Sequence, residues 1–308
     1  MLLLLTVLTC VLVTLILYII LSTKIEEFSH AHSRPPRVIV TPAGRRRYMK
    51  LLYMHLASQR DAFDVWQIWL NTTDQEDLAY LRGLARENPV WILARELTVP
   101  HNGNLSINSF FPGASAPGTT YLRLDDDVVW LEPGFVETMM TYRETYRDPF
   151  LIYGSIVNNA IVSYLFQHTG TIGTSIGKVK YECMDEVGWN NGKFAKSIHE
   201  TFLKAINSNQ LEPWHMHNKW LLADYERVSI NCILWLGDDF AEFGGVIGAD
   251  DEEQWLSVEK PRELGRPNEI AGGPGTLCAH FAFYNQRPTL DATSILASYE
   301  ELAYRLYK

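Results

Sequence analysis

Apolar and polar positions fall along this chain in blocks whose period changes from two to about 3.6. "RVIV", Arg37 to Val40, is a short apolar run behind one arginine and predicts a buried first strand, stopped by Thr41-Pro42-Ala43-Gly44. From Arg45 to Ser58 the apolar residues Tyr48, Leu51, Leu52 and Leu56 recur at helical spacing. "DVWQIWLN" (Asp64 to Asn71) alternates as a second strand, Asp77 to Glu87 reads as a second helix, and "PVWILARE" (Pro89 to Glu96) as a third strand. A polar loop from Pro100 to Gly118 leads into "TYLRL", a fourth strand that ends on Asp125, Asp126 and Asp127.

This alternation predicts a parallel sheet with crossover helices, in which ligands bind at the carboxyl ends of the strands. Thr41 to Gly44 and Asp125 to Asp127 both fall at such ends and are expected to face one crevice. The second half is less regular. Glu132 to Arg147 reads as helix, "FLIYGSIV" (Phe150 to Val157) as strand, and Asn158 to Asn191 mostly as loop. Asn191 to Asn209 and Leu222 to Phe243 read as helices, "TLCAHFAFYNQR" (Thr276 to Arg287) as a late strand, and Ile295 to Tyr307 as a closing helix. No repeat or low-complexity segment interrupts the pattern, so one catalytic domain over 37–308 is expected.

The first residues differ in kind. Leu2 to Thr23 carries no charge, and about 20 apolar residues suffice to cross a bilayer as a helix. The run lacks the basic start and small-residue cut site of a cleaved signal peptide, so 1–23 is expected to be a transmembrane signal anchor and 24–36 a polar tether ending in Pro35-Pro36. The sequons Asn71-Thr72-Thr73 and Asn104-Leu105-Ser106 favour a type II protein with a lumenal domain, in the Golgi or endoplasmic reticulum if the source is eukaryotic.

Composition narrows the function. The 308 residues are 47% apolar, enough for a large core, and the net charge of -9 argues against a general nucleic-acid binder. Cys183, Cys232 and Cys278 are too few and too widely spaced for a disulfide framework or a zinc site, and three buried thiols are expected, with one bridge as the alternative.

The chemistry concentrates in three places. Asp125 and Asp127 form a D-x-D at a strand end, suited to hold a hard divalent cation between carboxylates and phosphate oxygens; in an extended segment their side chains share one side and Asp126 takes the other. Carboxylates this close to an apolar run also call for a positive group among them. A second acidic run, Asp250-Asp251-Glu252-Glu253, precedes an apolar helix and offers a general base if it faces the crevice; the helix dipole alone would also favour acids there. His280, inside "LCAHFAFY", is either a core histidine or a ligand for manganese beside carboxylates. The His215-x-His217 pair, between Trp214 and Trp220, reads as a loop at an acceptor site.

Taken together, "VIVTPAGR", "YLRLDDDVVWLEPGF", "ADDEEQWL" and "LCAHFAFYNQR" resemble metal-dependent glycosyltransferases of the GT-A fold, most like family-2 inverting enzymes, over most of Arg37 to Leu302. The resemblance implies a Rossmann-like, mainly parallel α/β sheet flanked by helices. It also implies a nucleotide-sugar donor, Mn2+ or Mg2+ on its diphosphate, and a glycan, glycoprotein or glycolipid acceptor. Carried onto this chain, it makes Asp125, Asp127 and His280 the metal ligands. Thr41, Pro42, Ala43 and Arg45, with Asp125 and Asp126, become the donor-binding residues. Asp251 becomes the base, with Asp250 and Glu252 as alternatives because Asp250 stands where the family has Glu. A metal-dependent nucleotidyltransferase or phosphohydrolase, and a calcium-stabilised binding module, are the competing readings.

Overall fold

The first strand, β1, runs Arg37–Ala43, three residues beyond the expected stop. Pro42 is tolerated because β1 pairs with β4 (Thr120–Leu124) only as far as Val40, so at Pro42 the strand has β2 (Val65–Leu70) as its sole ladder neighbour. Helix α1 (Arg46–Ser58) crosses from β1 to β2, and α2 (Gln75–Glu87) from β2 to β3 (Ile92–Glu96). Asp74 caps α2 by accepting from the backbone N–H groups of Glu76 and Asp77, which starts the helix two residues before its apolar pattern shows. The expected loop before β4 contains a 3-10 segment, Gly103–Ala114.

The structure is a computed structural model that describes residues 34–307, so the expected anchor at 1–23 and most of the tether lie outside the described residues. Residues from Arg37 onward form one unit; of the unit before it only 34–36 are described, without helix or strand. Among the described residues no helix is long and apolar enough to cross a membrane.

An eight-stranded sheet has the order β3-β2-β1-β4-β9-β6-β10-β8, with β9 at Cys232–Leu236, β6 at Ile152–Tyr153, β10 at Glu269–Ile270 and β8 at Trp220–Leu221. The pairs among β3, β2, β1 and β4 are parallel, and β9 lies antiparallel between β4 and β6. Leu222 to Phe243 is therefore not one helix: it holds β9, and only Gly237–Ala241 is helical. Cys232 to Leu236 are all buried, and five apolar residues in a row have no period to separate a central strand from a buried helix.

A second, three-stranded sheet joins β5 (Val128–Leu131), β11 (Leu277–His280) and β7 (Ser155–Val157). "FLIYGSIV" is thus two short strands in two sheets, split at Gly154. "NNAIVSYLFQH", expected as loop, contains helix α4 (Ala160–His168), capped by Asn159, after α3 at Phe135–Thr145. Asn191 caps α5 (Gly192–Asn207), and α6 (Ile295–Tyr307) closes the chain against α1 and α5. Cys183, Cys232 and Cys278 are free and buried.

Candidate active site

The sheet order reverses between β1 and β4: from β1 the chain proceeds outward to β2 and β3, and it returns to β4 on the other side. Such a switch point leaves a crevice at the carboxyl ends of the two strands. A cavity of about 600 Å3 lies here, lined by Pro42 and Arg45 after β1 and by Asp125, Asp126 and Asp127 after β4. Both expected strand ends therefore meet in one crevice. Thr41 and Ala43 do not reach it. Alternation along β1 turns them into the core, where Thr41 Oγ1 accepts from Trp66 Nε1 at 3.0 Å and both residues are fully buried. Of the expected donor-binding residues, Pro42, Arg45, Asp125 and Asp126 line the cavity.

The positive group among the three aspartates is Arg45. Its Nε donates to Asp126 Oδ1 at 3.0 Å, its Nη2 also meets Asp126, and its Nη1 lies 2.9 Å from Asp127 Oδ2. Gly44 N–H donates to Asp126 Oδ2 at 2.8 Å. A side chain at Gly44 would place its Cβ 2.7 Å from the carbonyl of Asn71, so glycine permits this close approach. The expectation that Asp126 faces away fails for a simple reason: the chain turns at 126–127 and does not stay extended, with Val128 N–H donating to Asp125 C=O at 3.1 Å. Asp126 and Asp127 share Arg45, while Asp125 turns to Arg123 Nε at 2.9 Å and Asn231 Nδ2 at 3.1 Å.

These contacts set the ionisation. Burial alone would raise Asp127, but the Arg45 guanidinium, with His280 and Arg287, outweighs it and holds the carboxyl well below its usual range. Asp126 moves the other way, raised first by burial, against Arg45, and then by the charge of Asp127. Arg123 sits in the wall of the cavity with its side chain buried, bridging Asp125 and Glu252 Oε1 at 3.0 Å. Burial raises Glu252, partly opposed by Arg123.

His280 reaches the site through a register shift. β11 opposes Trp130 with Ala279 but Val128 with His280, so Val129 is the extra residue of a bulge, a device that re-aims a neighbouring side chain. His280 Nε2 lies 3.4 Å from Asp127 Oδ1, and both side chains are 3% exposed. Two ligands on bonds of about 2.1 Å to one ion stand roughly 3 to 3.5 Å apart, so this pair has the spacing to hold a divalent cation whose other ligands would come from phosphate or water. Asp125 does not join it, because Arg123 and Asn231 engage both its oxygens. Among the described residues no three His, Cys, Asp or Glu side chains gather around one point. The three expected ligands do not gather: Asp127 and His280 are neighbours, while Asp125 lies with Arg123 and Asn231.

The second acidic run does line the cavity, and its four carboxylates have different surroundings. Asp251, the first choice for a base, caps the short helix Glu252–Gln254 by accepting from Gln254 N–H at 3.0 Å, and its Oδ2 lies 3.0 Å from Arg227 Nη1. Glu253 takes Arg227 Nε at 2.8 Å. Glu252 is tied to Arg123. Asp250 alone of the four is exposed to the cavity with no side-chain partner among the described residues.

The His215-x-His217 loop is elsewhere. His215 Nε2 lies 2.7 Å from Glu132 Oε1, Trp214 packs on Phe166 and Phe202, and the histidines line a separate cavity of about 200 Å3. Sequence reasoning missed Arg123, Arg227, Arg287 and Asn231, all of which line the main cavity. One signal was present for Arg123, a charge between Leu122 and Leu124 in a run of buried residues.

No family model and no curated protein matches this sequence. Solved structures are similar in outline. A mannosyltransferase from Pyrobaculum calidifontis, in complex with GDP-Man and Mn2+, is 12% identical with a TM-score of 0.46, over 89% of this chain and 65% of its own. A CMP:2-keto-3-deoxy-manno-octonic acid synthetase complexed with CTP is 13% identical with a TM-score of 0.42, over 88% of this chain and 98% of its own. A UDP-glucose pyrophosphorylase complexed with UDP-glucose is 8% identical with a TM-score of 0.45, over 88% and 99%. This chain thus spans less than two thirds of the mannosyltransferase's length. The likeness concerns the course of the chain and assigns no substrate.

Proposed function

We propose that this chain is a transferase for nucleotide-activated sugars that moves the sugar to an acceptor hydroxyl with inversion. One observation carries the reading: one cavity at the β1/β4 switch point holds Arg45 and Arg287, the buried Asp127–His280 pair and Asp250, whose side chain has no partner among the described residues. Arg45 and Arg287, already turned to Asp127, are in place to bind a diphosphate bridged to that carboxylate. A Mn2+ or Mg2+ ion held by Asp127 and His280 would neutralise charge on the departing diphosphate. Asp250 is the general base of this reading, since Asp251 spends its oxygens on a helix start and on Arg227. Inversion asks for this base on the face of the sugar opposite the diphosphate. Arg227 and Asp251 then have a positioning role, holding the turn that presents Asp250. An uncharged anchor at Leu2 to Thr23 would tether the domain to a membrane as a type II protein.

The test is incubation with a panel of nucleotide sugars and Mn2+, with and without saccharide acceptors, and identification of the products. Release of nucleoside diphosphate together with a glycoside of inverted anomeric configuration is the expected result. Pyrophosphate and a transferred nucleotide would instead make the chain a nucleotidyltransferase. Binding of calcium with no affinity for nucleoside diphosphates would remove the enzyme reading altogether.

A further inference from the structure

Two aromatic side chains, Trp189 and Tyr284, line the main cavity from two adjoining loops. Tyr284 is 78% exposed, so its ring is open to a ligand entering the cavity. Trp189, partly exposed, packs against Phe283 with ring centroids 5.7 Å apart, and Phe283 lies against His280 at 4.6 Å. Trp189, Phe283 and Tyr284 all line the cavity. Neither the indole N–H of Trp189 nor the hydroxyl of Tyr284 has a partner among the described residues.

The two loops are fastened to each other. Asn285 Nδ2 donates to Asn190 Oδ1, 2.6 Å, and the fully buried Gln286 donates Nε2 to Gly188 C=O at 3.3 Å. Gln286 Oε1 accepts from Phe283 N–H at 3.1 Å, and the buried Asp185 accepts from Gly188 N–H at 2.7 Å. Backbone on both sides is thus hydrogen-bonded before any ligand arrives, and little ordering entropy is left for a ligand to oppose.

We infer that Trp189 and Tyr284 form the acceptor subsite and that the acceptor is a carbohydrate, its ring held by these two aromatics; the inference rests on the transferase reading above. A pyranose presents apolar C–H faces rimmed by hydroxyls, which matches flat rings carrying an N–H and an O–H with asparagine amides beside them. A lipid tail would instead need a continuous apolar trough, and the polar handles and amides interrupt this rim. The two rings and Asp250 line one cavity, so an acceptor held here would share that cavity with the proposed base.

The experiment measures two affinities on the full-length protein in detergent and on its variants Trp189→Ala, Trp189→Phe and Tyr284→Ala. One is for a nucleoside diphosphate with Mn2+. The other is for a panel of methyl glycosides and short oligosaccharides, followed by saturation-transfer NMR with the diphosphate bound. The result expected is saccharide binding by the native protein, weakened about tenfold by each alanine variant and retained by Trp189→Phe, with diphosphate affinity unchanged throughout. Unchanged circular dichroism spectra show that the variants are folded, as the exposure of Tyr284 makes natural. If the native protein binds the diphosphate but no saccharide, or if the alanine variants bind saccharide as well as the native protein does, the subsite is wrong and the transferase reading stands. Weakened diphosphate binding in the variants would give the rings to the donor and overturn the assignment. No diphosphate binding by the native protein would overturn the transferase reading and, with it, this subsite.

Discussion

Replacing Arg45 with glutamine removes the charge that Asp126 and Asp127 share. Asp126 would lose the Nε hydrogen bond at 3.0 Å and its Nη2 contact, keeping the Gly44 N–H; Asp127 would lose the cation at 2.9 Å, keeping His280 and Arg287 at 3.4 Å each. Both carboxylates are nearly buried, at 3% and 2% exposure. Breaking a buried ion pair from one side costs about 3–5 kcal/mol, because the abandoned charge stays out of water. The guanidinium side chain is 31% exposed and Asp127 keeps His280 and Arg287 beside it, so the cost falls below that range, to about 2–3 kcal/mol. The sign with pH follows from Asp126. Its folded pKa is already raised, and losing Arg45 raises it further, so the variant is relieved at low pH and its deficit grows as pH rises through that value. Urea unfolding at pH 5 and pH 8, followed by tryptophan fluorescence, reads both effects. Adding Asp126→Asn to Arg45→Gln removes the stranded charge and should recover about 1–2 kcal/mol. A single variant as stable as the native protein, or a double variant no more stable than the single one, would refute the claim that Arg45 balances the aspartates.

Asp250→Asn should lower turnover by about 10²-fold or more with diphosphate affinity intact. Asp251→Ala should act through the turn, costing about 1 kcal/mol of stability as a lost cap and a lost Arg227 partner, with a smaller drop in rate; reversed effects in a kinetic and unfolding comparison would return the base to Asp251. Chelation of Mn2+ should weaken nucleoside diphosphate binding, and Asp127→Asn should do the same in excess Mn2+ while Asp125→Asn leaves most affinity, as calorimetry would show. His199 is buried, and burial lowers its pKa to about 4. Its contribution is therefore complete above the unfolded value near 6.5 and declines as pH falls below it, by about 2 kcal/mol at pH 5. His199→Gln should remove about that much of the stability lost between pH 7.5 and pH 5, and an unaltered pH slope would contradict a neutral buried imidazole.

What was legible in the sequence was local. β1, β2 and β3 with α1 and α2 show because amphipathic period and length belong to contiguous residues, and α6 is expected over the residues it occupies, Ile295–Tyr307. The placing of Thr41 to Gly44 and Asp125 to Asp127 at neighbouring strand ends follows from the same local alternation. Other elements were illegible for a physical reason. β9 is apolar and buried at all five residues, and all but one of the first six residues of α4 are buried too, so in neither does an apolar period stand out.

The sequence by itself determined that carboxylates stand at a strand end in an α/β sheet and that some positive group must balance them. Only the tertiary structure decided which group. Arg45 lies 81 residues before Asp126 and Arg287 lies 160 after Asp127, and no local pattern couples positions so far apart. The turn at 126–127 overrode the extended alternation that would have paired Asp125 with Asp127, and the bulge opposite His280 brought that ring to Asp127 instead. Among Asp250, Asp251 and Glu252 the residue types are nearly equivalent, so the choice of base rests on their neighbours: Arg227 and a helix start take Asp251, Arg123 takes Glu252, and Asp250 keeps its lone pairs. Basicity belongs to a carboxylate's surroundings, and those exist only once the chain has folded.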